Sequence, residues 1–247
     1  MTTSIALTVP YPRRRVLRAV MHTLAQHAFG ALANLEVIGR ENMPAQGPLI
    51  VVANHFSFLD PALMVGIAPW PMEFLGGFRM PNAPEYVTWI PKLWGYLPVF
   101  RGTAARNSLR AAESVLTRGG VLGIFPEGGS WATVLRPPRP GVSFLAARTG
   151  ARILPIGFDG LHGMLRRLKR GSRAKVTVRI GQPFGPFEAP GGGREHRRRL
   201  DEIGHEIMRH IAELIPPEVR GHYSDDPAIR AAAQGAEIYP WDDAPEM

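Results

Sequence analysis

Cysteine is absent from this chain of 247 residues. Its absence excludes disulfides, thiolate metal sites, redox pairs and a cysteine nucleophile. Long hydrophobic runs are also lacking. No apolar stretch reaches the roughly 18 residues of a membrane-spanning helix, so the chain is expected to be soluble or to sit on a membrane face. A secretory signal is not indicated, because the mildly apolar residues 1–9 precede the basic cluster Arg13, Arg14, Arg15, the reverse of a signal's order. The sequence also contains no Gly-x-Gly-x-x-Gly, no Gly-Lys-Ser/Thr phosphate loop and no Gly-x-Ser-x-Gly hydrolase elbow.

What is present is a globular mixture, 45% hydrophobic and 20% charged, with 27 Gly and 24 Pro that read as turns. Length allows one large domain or two small ones. The net charge of +8 is unevenly spread: residues 225–247 carry −5, which leaves +13 on residues 1–224. A body that basic prefers anionic partners.

Residues 13–33 have helical period, with Leu17, Val20, Met21, Leu24, Ala28 and Leu32 on one side and Arg13, Arg14, Arg15 and Arg18 crowding the start. Acids rather than arginines suit a helix N-terminus. The pattern therefore fits either a helix packed on the core or one lying on an anionic surface. Strands are predicted at Leu35–Gly39, Leu49–Ala53, Val121–Phe125, Ile153–Gly157 and, half exposed, Lys175–Ile180. Helices are predicted at Pro61–Ile67, Ala104–Leu116, Gly141–Arg148 and Arg194–Leu214. Residues 71–100 give no clear period, and the segment after Pro216-Pro217 reads as irregular. Alternating strands and helices predict an α/β fold, a layered, largely parallel sheet flanked by helices, with an N-terminal amphipathic helical arm. The expected divisions are 1–34 for the basic arm, 35–215 for the main domain and 216–247 for the acidic tail.

Three segments carry chemistry. Asn54-His55-Phe56-Ser57-Phe58-Leu59-Asp60 follows a buried strand, at the sheet end where active groups collect. A turn can bring Asp60 to one nitrogen of His55 and leave the other as a base. Asp60 before Pro61 also matches a plain helix cap. Phe125-Pro126-Glu127-Gly128-Gly129-Ser130 also follows a strand, and its glycines let backbone N–H groups approach a ligand. The bland alternative is a tight turn with an exposed Glu. Arg101, beside Gly102 at the end of an apolar run, suits a phosphate clamp or an ordinary surface position.

Together these blocks resemble the glycerolipid acyltransferases, the family of 1-acyl-sn-glycerol-3-phosphate acyltransferase. Asn54-His55 with Asp60 resembles its His-x4-Asp signature. Val99-Phe100-Arg101, Phe125-Pro126-Glu127-Gly128 and Ile153-Leu154-Pro155-Ile156-Gly157 resemble its later motifs, in family order. The preamble Val37-Ile38-Gly39-Arg40-Glu41-Asn42 with Pro44 is similar as well. The resemblance implies transfer of a fatty acyl group from acyl-CoA or acyl carrier protein to the hydroxyl of a lysophosphatidic acid-like lipid. His55 and Asp60 would be catalytic, and Arg101, Glu127, Gly128 and Gly129 would bind the acceptor. It implies no metal and no other cofactor. The third motif usually continues Gly-Thr-Arg, whereas this chain has Gly128-Gly129-Ser130. Arg136 or Arg139 is then the candidate phosphate ligand, or the acceptor is another lipid such as a glycolipid, ether lipid or lyso-aminolipid.

His205 and His210 with Glu206 resemble a zinc helix, but histidines five apart point roughly 140° away from each other, so no metal is assigned. The basic runs Arg166, Arg167, Lys169, Arg170, Arg173, Lys175 and Arg194, Arg197, Arg198, Arg199 contain no stacking aromatics. An anionic membrane surface on the cytoplasmic side is the expected partner. Nucleic acid is not expected, and a non-enzymatic basic binding protein leaves His55, Asp60 and Glu127 without a role.

Overall fold

The structure, a computed structural model, describes residues 9–77, 83, 85–99 and 103–238. Helix α1 (Arg15–Leu32) runs into strand β1 (Ala33–Ile38), and β2 (Leu49–Ala53) and α2 (Asp60–Ile67) follow at the predicted positions. The stretch without readable period holds β3 (Met72–Gly77), α3 (Trp89–Trp94) and β4 (Leu97–Val99). Next come α4 (Thr103–Leu116), β5 (Val121–Ile124), α5 (Gly141–Thr149) and β6 (Arg152–Asp159). Helix α6 (Met164–Lys169), β7 (Ala174–Ile180), α7 (Gly193–Glu213) and α8 (Pro227–Ala232) follow among the described residues.

Among the described residues seven strands form one sheet, ordered β1-β7-β6-β2-β5-β3-β4. Neighbours are parallel except β6 and β7. Side chains alternate across a strand, so fully buried β2 feeds two cores. Leu49, Val51 and Ala53 pack with Phe29, Leu63 and Met64 beneath α1 and α2. Ile50 and Val52 pack with Ala112, Leu145, Ile207 and Ile211 beneath α4, α5 and α7. The result is an α/β sandwich with helices on both faces. Strand β7 lies between β1 and β6 and alternates as predicted, with Val176, Val178 and Ile180 buried, Lys175 exposed and Arg179 partly so, while Thr177 on the outer side is buried as well.

Helix α1 divides its apolar residues between two faces. Phe29 is buried and Met21 packs on the core, whereas Val16, Val20, Leu24 and Leu32 are exposed. The single stripe read from the sequence is therefore two. Most of the arginines at its start are engaged by the protein itself. Arg18 Nη1 lies 2.6 Å from Glu73 Oε1, and Arg13 Nη2 lies 2.5 Å from Glu73 Oε2. Arg14 donates to the carbonyls of Lys92 and Leu93. Glu73 is fully buried, and its two arginines hold its carboxyl below the usual range against the upward push of burial. The segment after Pro216 is more ordered than expected. It makes two 3-10 turns and then α8, whose N-cap Asp226 accepts from the Ala228 N–H at 2.8 Å.

Asn54 extends the ladder past the end of β2. Its Nδ2 donates to the Phe158 carbonyl at 3.0 Å and its Oδ1 accepts from the Phe158 N–H at 2.7 Å. Asn54→Ala is expected to leave both buried groups unpaired, at about 1–3 kcal/mol each. Thermal unfolding should show a loss of roughly 2–4 °C per kcal/mol.

Candidate active site

Strands β2 and β5 pair in parallel register, Leu49 with Val121 through Val52 with Ile124. Their carboxyl ends are therefore neighbours, and the loops starting at Asn54 and Phe125 emerge side by side. His55 Nδ1 lies 2.9 Å from Asp60 Oδ2, and the same oxygen accepts from the Ser57 N–H at 2.8 Å. Asp60 is not the helix cap its position before Pro61 suggests: the N-cap is Leu59, and Asp60 lies in the first turn. Its carboxylate instead turns back to hold the imidazole and the loop that carries it. Burial pushes the Asp60 carboxyl above the usual carboxylate range, while its hydrogen bonds from His55 and Ser57 oppose that shift. Phe125 stacks on the imidazole, with centroids 4.2 Å apart and planes inclined 24°. Asp60 takes Nδ1, and His55 Nε2 has no hydrogen-bond partner among the described residues.

Glu127 joins the two loops. Its Oε1 accepts from the His55 backbone N–H at 2.7 Å. Its Oε2 accepts from Arg136 Nε at 3.0 Å and from the Arg136 N–H at 3.3 Å. Arg136 is 1% exposed, donates to the Gly129 carbonyl through Nη2 and lies 3.7 Å over the Trp131 ring. Its Nη1 is buried without a hydrogen-bond partner among the described residues. Gly128 has φ +80°, and an added Cβ there would sit 3.1 Å from Arg139 Cγ. That conformation and that approach explain a glycine at the turn.

A cavity of about 220 Å³ opens here, lined by Glu127, Trp131, Arg136, Pro137, Pro138, Arg139 and Glu237. A second cavity of about 220 Å³ lies between α1 and the start of β3, at the opposite end of the strands from His55. Of the residues singled out in the sequence, the fold gathers His55, Asp60, Glu127, Gly128, Gly129, Arg136 and Arg139 at one sheet end. Arg101 lies outside the described residues. Trp131 and Glu237 join the site without a sequence signal, since each contributes through contacts formed only on folding, and Phe125 of the third motif adds its ring against the imidazole. His205 bonds the Tyr223 hydroxyl at 2.8 Å and His210 stacks on Phe184. Among the described residues no cluster of histidines and acids is arranged to hold a metal ion.

Burial lifts Glu127 to about 7, with the Arg136 charge opposing. Arg136 is in turn lowered by burial. Relative to the unfolded chain, Glu127 takes up a proton on folding between its ordinary value and about 7. The stability it contributes is full below the unfolded value and is lost as pH rises through about 7. At about 1.36 kcal/mol per pH unit the loss is on the order of 3 kcal/mol. Urea midpoints measured from about pH 5 to about pH 8 should fall for the wild-type chain and fall less for Glu127→Gln.

The family described as Acyltransferase matches residues 34–159. The 1-acyl-sn-glycerol-3-phosphate acyltransferase of Bacillus subtilis (strain 168) is 23% identical over 181 residues, 73% of this chain and 87% of the relative. The protein of that name from Borreliella burgdorferi is 29% identical over 131 residues, 51% of this chain and 52% of its own length. The crystal structure of the 1-acyl-sn-glycerophosphate (LPA) acyltransferase PlsC from Thermotoga maritima shares the fold, with a TM-score of 0.56 and 23% identity. It is matched over 81% of this chain and 83% of that one.

Proposed function

The chain belongs to the acyltransferase family and is an O-acyltransferase, and from that premise we propose that it moves a fatty acyl group from an acyl thioester to the hydroxyl of a lysophosphatidic acid-like glycerolipid. The donor is acyl-CoA or acyl carrier protein. The observation that carries this reading is the His55–Asp60 pair at 2.9 Å, set where two parallel strands end. Asp60 fixes the imidazole with Nδ1 protonated, so Nε2 takes the proton from the acceptor hydroxyl. The oxygen attacks the thioester carbonyl, the C–S bond breaks, and the imidazolium returns its proton to the leaving thiolate. Buried Asp60 stabilises the imidazolium while it exists.

We assign the acceptor's phosphate to the cavity bearing Arg136 and Arg139, where two guanidinium groups share the lining with the carboxylates of Glu127 and Glu237. The names of the relatives favour the same acceptor. Gly128 and Gly129 leave room for Arg139 and Trp131 to pack beside it.

A membrane face is the proposed place of work, since the acceptor and product are lipids. Among the described residues no helix is long and apolar enough to cross a membrane. Val16, Val20 and Leu24 recur at every fourth residue of α1 and face outward, with Trp89 and Ile90 of α3 also exposed. Such a stripe suits partial immersion in a lipid interface. Purified protein given labelled acyl-CoA or acyl carrier protein and a panel of lysolipids tests the reaction. Lysophosphatidic acid should be the best acceptor. A glycolipid or lyso-aminolipid outpacing it would overturn the acceptor assignment, and transfer to no lipid at all would overturn the reading.

A further inference from the structure

One wall of the arginine cavity comes from a segment that the proposed chemistry does not use. Past α8 the chain folds back onto the turn that follows β5. Trp131 Nε1 donates to the Ala236 carbonyl at 2.9 Å. The next residue, Glu237, lies with Oε2 3.1 Å from His222 Nε2, and its side chain is 45% exposed. Glu237 lines the cavity together with Arg136 and Arg139, yet among the described residues it hydrogen-bonds His222 and neither arginine. Arg136 Nη1 is buried and has no hydrogen-bond partner among the described residues. The cavity thus keeps room for an anion, with a fixed carboxylate at its rim.

We propose that Glu237 is a specificity-determining residue of the acceptor pocket, an internal carboxylate that competes by charge with the acceptor's phosphate for Arg136 and Arg139. This rests on the reading that the cavity receives that phosphate. A negative charge a few ångströms from a phosphate dianion, in a site partly open to water, weakens its binding without blocking it. It has little effect on an acceptor that has no charge at this position. Anionic acceptors are thereby held more loosely than the two arginines alone would hold them, which favours release of a product that keeps the phosphate.

Glu237→Gln tests this, because the amide is isosteric and can still bond His222. With the full chain, KM should fall about fivefold for lysophosphatidic acid and stay unchanged for the monoacylglycerol of the same acyl chain. The effect should be confined to KM and should shrink at high salt. Equal KM values in the two proteins, or the same change with both acceptors, would overturn the proposal. If wild-type protein uses neither acceptor, it is the acceptor reading that fails. Binding of inorganic phosphate, followed by 31P NMR, then decides separately: tighter binding in Glu237→Gln supports the role of Glu237, and equal binding removes it.

Discussion

His55→Ala should cut acyl transfer about 10²–10⁴-fold, the contribution typical of a positioned general base. The loss belongs in kcat, since the donor and the lipid acceptor bind mainly through other groups. Because the chain contains no cysteine, a thiol-reactive dye reports only the coenzyme A released, and the assay has no protein background. The fold should survive: the imidazole is only partly buried, and its removal costs a stacking contact with Phe125 and one bond to Asp60. Asp60→Asn should follow in the same assay, because an amide cannot hold the Nδ1 proton in the same way. Combining the two changes should add little, as expected of groups that act as a unit. A His55→Ala protein that turns over near the wild-type rate would end the mechanism.

Arg136→Ala should be the most damaging single change to stability. It strands the buried Glu127 carboxylate and removes the cation over Trp131. Breaking a buried pair from one side costs about 3–5 kcal/mol, or a Tm drop of roughly 6–20 °C at this size. Replacing both partners with apolar groups, Glu127→Leu with Arg136→Met, should recover much of that loss, since the desolvation cost of the pair disappears with it. Activity should not recover, because the His55 N–H then has no Oε1 to donate to. Thermal unfolding and turnover measured on the same three proteins separate the two effects. If stability and activity return together, Glu127 and Arg136 do not position His55.

Two Asp-Pro steps show how far the sequence alone could be read. Asp60-Pro61 and Asp226-Pro227 carry the same local signal for a helix start. At Asp226 the carboxylate caps the helix it precedes. At Asp60 it abandons the cap for Ser57 and His55. A helix starts in both places, although the segment after Pro216 has no period by which to read one there, and only the neighbouring loop decides what the acid does. The buried strands were legible because continuous apolar runs such as Leu49–Ala53 admit little else. Strands β3 and β4 were not, because their glycines and Pro98 erase the alternation, and their place in the sheet is set by pairing with β5 and with each other. His55, Asp60 and the glycine turn were legible from their order along the chain. The Glu127–Arg136 strut and the Trp131 cover were not, since nothing in nine residues of spacing says that the chain folds back.

The clasp of Arg13 and Arg18 on Glu73 ties the first helix to the sheet by a carboxylate that water does not reach. A chain shortened past Arg18 would carry an uncompensated acid inside an apolar interior, so α1 cannot be clipped off as a detachable anchor. How deep that helix rides in a bilayer would then set how high the histidine stands above the lipid, with no hinge between them to take up slack.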